Sequence, residues 1–256
     1  GIMDLVAVGA QDKYLTNNPQ ITFFKNVHKN YTNFSMEMIQ LDPKVSSNLK
    51  QTSEVNLEFK IDRNGDLIKQ IYFVFDLPAI YSKNVTYQTH KFNWIERIGE
   101  YIIKEVVLEI GGQEIDKHYG EWLHIWSELT LDEAKKDGYN RMIGNTSDMF
   151  NPLNSSDSYP AFSDTDSLRP VIRERKVIVP LPFWFTYMTG TELPLISLQG
   201  NEVIIKFKLQ SFESLYTVID SSIRKASPSA TYNLGQYLKS PSTITELEIS
   251  PKLEVN

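Results

Sequence analysis

The 256-residue chain has no cysteine. That excludes a disulfide framework and every zinc or redox site built on paired cysteines, and it sits more easily with a reducing compartment. Histidine is scarce too: His28, His90, His118 and His124 are the only four. The closest pair, His118 and His124, is six residues apart, whereas a zinc helix needs a spacing of about four for both rings to reach one ion. No tight His-x-His pair marks a metal-binding cupin strand. Glycine and proline number 12 each, too few for a collagen-like or low-complexity chain. No apolar run approaches the roughly 18 residues of a membrane span. The opening GIMDLVAVGA lacks a basic stretch leading into an apolar one, so the reading is a soluble chain without a signal peptide. Positive charge is in deficit, 26 Lys and Arg against 32 Asp and Glu, which removes the basic footprint of a nucleic-acid binder. GxSxG, P-loop and GxGxxG motifs are missing as well, leaving nucleophile and phosphate-cradle chemistry without a handle.

What is present is alternation. Glu54 to Asp62 alternates polar and apolar residues without a fault, and Glu202 to Gln210 places Val203, Ile205, Phe207 and Leu209 on one face. This period of two is that of strands with one face on a core. Asn64-Gly65 before the apolar run Leu67 to Leu77 predicts a tight turn and a hairpin with the preceding strand, because Asn-Gly tolerates positive φ. Further strands are expected at Phe34 to Leu41, Tyr101 to Ile110, Arg175 to Leu181, Leu193 to Leu198 and Thr245 to Val255. Strands recurring throughout predict an all-β sandwich or barrel. One segment differs: in His118 to Lys136, Trp122, Ile125, Trp126 and Leu129 fall at i, i+3, i+4 and i+7. This predicts one inserted amphipathic helix, stopped at Gly138. Asn151 to Pro170 and Ser221 to Ser242 read as long surface loops.

Carboxylate pairs such as Asp62 with Asp66, or Glu114 with Asp116, lie beside turns and on polar strand faces, where solvated charge is the ordinary reading. Of five Asn-x-Ser/Thr sequons, Asn84 and Asn154 fall in expected loops and are the candidates for glycosylation. The run Phe183 to Tyr187 offers either a sugar-stacking platform, using Trp184 and Tyr187, or a piece of core or subunit interface.

The order of several blocks is more specific than any of these. Gly9-Ala10-Gln11-Asp12-Lys13-Tyr14, Asn18-Pro19-Gln20-Ile21-Thr22-Phe23-Phe24-Lys25, Arg63-Asn64-Gly65-Asp66-Leu67-Ile68, Leu108 to Tyr119, and Val179 to Phe185 with Leu193 to Gln199 resemble, in that order, the major capsid proteins of large eukaryotic double-stranded DNA viruses. His28-Lys29-Asn30 departs from that pattern where the family tends to carry an arginine pair, and lysine cannot reproduce a bidentate arginine contact.

The resemblance implies a jelly-roll sandwich, the first of two in one polypeptide, so the chain is read as the N-terminal portion of a longer protein. A single-jelly-roll homologue is the alternative. Expected organisation is an arm over residues 1–30 and a jelly roll over 31–256. The implied role is structural, without catalysis or cofactor: a homotrimer of pseudo-hexagonal outline in an icosahedral shell, assembled in the host cytoplasm. It would touch neighbouring capsomers, minor capsid proteins and an internal membrane, and would bind no specific nucleic acid. Gln11, Asp12, Asn18, Pro19, Ile21, Phe23, Phe24 and Lys25 are the expected assembly arm, since apolar anchors beside lysine suit a neighbour's surface. The rival function is a carbohydrate-binding jelly-roll module.

Overall fold

The computed structural model describes residues 33–45, 48–81, 90–152, 170–188, 190–220, 225–226, 233–240 and 242–256. The chain divides into Gly1–Glu37 and Met38–Asn256. Of the first unit only 33–37 are described, and they carry no helix or strand.

Eight strands make the two main sheets of the second unit, alongside shorter sheets of two and three strands: β1 Ile39–Leu41, β2 Val55–Ile61, β3 Ile71–Leu77, β4 Ile103–Ile110, β5 Gln113–Tyr119, β6 Arg175–Pro180, β7 Val203–Leu209 and β8 Lys252–Val255. They pair antiparallel in two four-stranded sheets, β1-β8-β3-β6 and β2-β7-β4-β5. The chain changes sheet at nearly every step and the last strand returns to lie beside the first, which is the double Greek key of a jelly roll. Each sheet has one apolar face, and the two faces meet in a single core. Phe59 and Phe207 from one sheet meet Phe73 from the other, which also contacts Phe75 on its own strand, with Phe73 and Phe207 stacked 4.5 Å apart.

The alternating segments Glu54 to Asp62 and Glu202 to Gln210 became β2 and β7, paired with each other in the expected phase, with Val203, Ile205, Phe207 and Leu209 inward. The hairpin expected at Asn64-Gly65 is not there. β2 and β3 lie in different sheets, and Leu67–Ile68 pairs instead with Leu193–Pro194, so the turn starts a crossing between layers. The tight two-residue hairpin links β4 to β5, where Gly111 and Gly112 take φ of 61° and 80°, the positive pair such a turn requires. Three expected strands are shorter than their apolar patterns. Phe34 to Leu41 pairs only over Ile39–Leu41, and Leu193 to Leu198 turns into a 3-10 helix after Pro194. Thr245 to Val255 splits into Glu246–Leu247 and β8 around Ser250, whose φ is 45°.

The single inserted helix is also corrected. Four α-helices occur among the described residues: α1 Ile98–Tyr101, α2 Gly120–Thr130, α3 Glu133–Met142 and α4 Ser147–Phe150. His118 and Tyr119 end β5, and the chain breaks at Leu131–Asp132, where Leu131 is extended. α3 runs through Gly138; the left-handed residue that follows it is Gly144, with φ of 75°.

Candidate assembly surface

Helices α2, α3 and α4 fill the connection from β5 to β6, the edge strand of the first sheet. Two local features set the rotation of α2. A Cβ at Gly120 would stand 2.5 Å from the Ile103 carbonyl oxygen and 2.7 Å from that of Glu100, so the helix starts in backbone contact that only glycine permits. One turn and more along, the Ser127 hydroxyl donates to Glu100 Oε1 at 3.3 Å.

Glu100 is the centre of a buried polar cluster, with its side chain 1% exposed. The Tyr139 hydroxyl of α3 donates to Oε1 at 2.8 Å, and Arg97 Nε donates to Oε2 at 3.2 Å. Arg97, held at φ 54°, also gives two bonds to Glu128 Oε1 at 3.1 and 2.9 Å, and Lys136 reaches Glu128 Oε2 at 2.9 Å. Arg97 Nη1 lies 2.7 Å from His124 Nδ1; guanidinium can only donate, so Nδ1 accepts and the ring proton sits on Nε2. The cluster ties α1, α2 and α3 together. Burial, followed by the nearby carboxylate of Glu100, drives the Tyr139 phenol far above its ordinary range, so it stays a donor.

With Gly120, Leu123 and Ser127 turned inward, the amphipathic stripe of α2 faces out. Ile125 is 48% and Leu129 76% exposed, against 2% for Leu123. The spacing rule found the helix and left open which face is buried; a close glycine contact and a polar anchor set the orientation, not the apolar stripe. Trp122 and Trp126 are half-buried, in an aromatic series from His118 through Trp122 and Trp126 to Tyr187, whose ring stacks on Trp126 at 4.4 Å. The run Phe183 to Tyr187 divides accordingly: Phe183 and Phe185 are core, while Trp184 and Tyr187 are 38% and 41% exposed. Tyr187 also spends its hydroxyl on the Pro182 carbonyl, 2.7 Å away.

His118 is 8% exposed, packed against Phe183 at 5.2 Å, with Nε2 3.3 Å from Asp116 Oδ2 in an arrangement too poorly aligned for a hydrogen bond. Burial lowers its pKa below the ordinary 6.5, partly opposed by Asp116. The folded state therefore binds fewer protons at this ring than the unfolded chain, so its contribution is complete above about pH 6.5 and declines as the pH falls below that value. Replacing His118 with Gln is expected to flatten the loss of thermal stability between about pH 6.5 and 5; equal slopes in wild type and variant, measured by melting across that range, would reject the assignment.

The outer face of the second sheet is charged and paired within the chain: Lys60 with Glu202 and Lys206 with Glu109 at 2.6 Å, Lys117 with Glu105 at 2.8 Å, and Glu54 with Lys208 at 2.9 Å and with Lys104. These exposed bonds add little stability. Their effect is to leave this face with few unspent charges.

No cluster of three or more metal-ligating side chains occurs among the described residues. The expected arm residues Gln11, Asp12, Asn18, Pro19, Ile21, Phe23, Phe24 and Lys25, and the sequons at Asn84 and Asn154, lie outside the described residues. The Glu100 cluster had no counterpart in the sequence reading. Its only trace there was a charged pair, Arg97 and Glu100, inside the apolar stretch Trp94 to Ile103.

The two four-stranded sheets define a β-sandwich protein of the jelly-roll class. The particular family is given by comparison with known proteins. Residues 22–246 match the family model described as the major capsid protein N-terminus, and the chain belongs to that family. It is 38% identical over 226 residues to the major capsid protein of Phaeocystis pouchetii virus, covering 83% of this chain and 41% of the relative. It is 41% identical over 209 residues to that of Pyramimonas orientalis virus, covering 81% and 46%. Among solved structures, a quasi-atomic model of the PBCV-1 virus capsid superimposes with a TM-score of 0.54 at 26% identity, covering 91% of this chain and 44% of that one. The chain thus spans less than half the length of these relatives.

Proposed function

We propose that this chain is the N-terminal jelly roll of a protein that builds the shell of a large DNA virus, acting through subunit contacts and catalysing no reaction. The observation that carries the reading is the coincidence of the family match over residues 22–246 with a complete jelly-roll strand order. The functional unit is a homotrimeric capsomer, incorporated in the virion, assembled in the host cytoplasm, and bordered by neighbouring capsomers, minor capsid proteins and an internal membrane. Specific nucleic-acid binding is not part of the role, in keeping with the net charge of −6. The sugar-binding alternative is disfavoured by Tyr187, whose ring stacks on Trp126 and whose hydroxyl is engaged by Pro182.

The N-terminal residues Ile21, Phe23 and Phe24, followed by Lys25, supply apolar anchors and positive charge for a neighbouring subunit or an anionic membrane. Two measurements test the proposal. The full-length product is expected to have a trimeric native mass and to enter virus particles; a monomer at all micromolar concentrations, excluded from particles, would sink the reading. Deleting residues 1–25 is expected to preserve a cooperative melt while blocking shell formation. Normal shells from the truncated protein would show the arm to be dispensable, and failure to melt cooperatively would assign its aromatics to the domain core.

A further inference from the structure

We infer that Asn64 is a site of spontaneous covalent modification, where the backbone nitrogen of Gly65 attacks the asparagine side chain and converts it to isoaspartate and aspartate. Asn64-Gly65 is the only Asn-Gly pair in the chain. The fold does not spend it on a hairpin, a role taken by Gly111-Gly112. The pair lies instead in the exposed stretch Asp62 to Asp66, which belongs to no strand or helix and links β2 to Leu67–Ile68.

The reacting nitrogen is open to attack. Gly65 has no side chain beside its own nitrogen, and a Cβ built there would meet nothing within 4 Å. Among the described residues the Gly65 N–H donates no hydrogen bond and the Asn64 carboxamide makes none. The Asn64 amide N–H does donate to the Asp62 carbonyl at 3.0 Å, but that tie precedes the Cα–C bond of Asn64, about which the chain must turn to bring nitrogen and side chain together. Other asparagines differ on both counts. Asn145 donates its carboxamide to Asn140 Oδ1 at 3.0 Å, and Asn233 donates to the Ile244 carbonyl at 2.7 Å and accepts from the Gly235 amide at 2.8 Å. The residues that follow Asn140, Asn145 and Asn233 are Arg141, Thr146 and Leu234, each with a side chain to hinder the nitrogen.

The Gly65 nitrogen gives up its proton and bonds to Cγ of Asn64; the Cγ–Nδ2 bond breaks, and ammonia leaves a cyclic succinimide. Water then opens the ring. Cleavage at the side-chain carbonyl yields aspartate, and cleavage at the backbone carbonyl yields isoaspartate, with the main chain rerouted through Cβ and Cγ. No oxidant or reductant is involved, and water is the sole co-reactant. Either product adds a negative charge between Asp62 and Asp66 to a chain already at −6. Isoaspartate also inserts an extra carbon atom into a link with both ends held, Ile61 by Val203 and Leu67 by Pro194.

The test incubates the purified chain for several days in warm, mildly alkaline buffer and maps every asparagine peptide by mass spectrometry, with electron-transfer fragmentation to separate isoaspartate from aspartate. The Asn64 peptide should gain about 1 Da, with isoaspartate the major product, at least about 10-fold faster than the peptides of Asn140, Asn145 and Asn233. Gly65→Ala is the decisive variant. Gly65 does not have a positive φ and has room for a methyl group, so the melting curve should be unchanged while conversion slows at least about 10-fold. Asn64→Gln, which extends the side chain past the favoured ring size, should likewise stay unmodified. The inference is overturned if Asn64 remains intact, if Gly65→Ala converts as fast as wild type, or if aspartate forms without isoaspartate, which would mean direct hydrolysis of the carboxamide.

Discussion

Phe207→Ala is expected to bring the domain to the edge of unfolding, at a cost of about 3–5 kcal/mol against a total stability of roughly 5–15 kcal/mol for a domain. Phe207 lies on the interior strand β7 and is 1% exposed. Its ring stacks on Phe73 of the opposite sheet at 4.5 Å and meets the edge of Phe59 at 5.6 Å, so it spans the seam between the layers. Removing it loses apolar burial and aromatic contacts at once, and two sheets pinned by several other rings cannot collapse to fill the space. Lys206→Ala, one residue away on the outer face and paired there with Glu109, is the control, with an expected effect within about 0.5 kcal/mol. Denaturant titration of both variants checks the claim; comparable losses at the two positions would contradict the sandwich assignment.

The second large effect is expected at Glu100. Glu100→Ala should cost about 3–4 kcal/mol, because removing one member of a buried ionic network strands the others. The Tyr139 hydroxyl would lose its acceptor, Ser127 would keep only the His124 carbonyl, and Arg97 would retain Glu128 and His124 Nδ1 but lose the bond from Nε. Retention of Glu128 by Arg97 places the estimate below the upper end of the range. Glu100→Gln keeps an oxygen for Tyr139 and should cost about half as much. The helices should suffer more than the sandwich, so hydrogen exchange is the informative measurement: protection should fall first in α2 and α3. Uniform loss across all eight strands, with the helices spared, would show that the cluster does not anchor them.

The two predictions draw on different sources of information. Phe207 was placed in the core from its sequence, since β2 and β7 each satisfy a rule of period two that a single strand can express. The hairpin at Gly111-Gly112 was missed, although glycine at two adjacent turn positions is a local signal for one. The Asn64-Gly65 hairpin failed because the same dipeptide also suits the start of a crossing between sheets, and partner choice is a long-range matter. Glu100 escaped notice because burial of a carboxylate depends on Tyr139 and Ser127, distant in sequence and brought near only by the fold.

By itself, then, the sequence determined the all-β class, the phase of the regular strands, the presence of a helix within His118 to Lys136 and, through ordered blocks of residues, the capsid resemblance. Strand propensity, periodicity and block order are properties of neighbouring residues, so they survive without knowledge of contacts. Only the tertiary structure decided the sheet order β1-β8-β3-β6 and β2-β7-β4-β5, the break at Leu131–Asp132, and which side of α2 meets water. The helix face shows the reason most clearly. Its apolar stripe states that some surface must cover it; close approach of Gly120 to the backbone and capture of Ser127 by Glu100 decide that this surface is not the chain's own core.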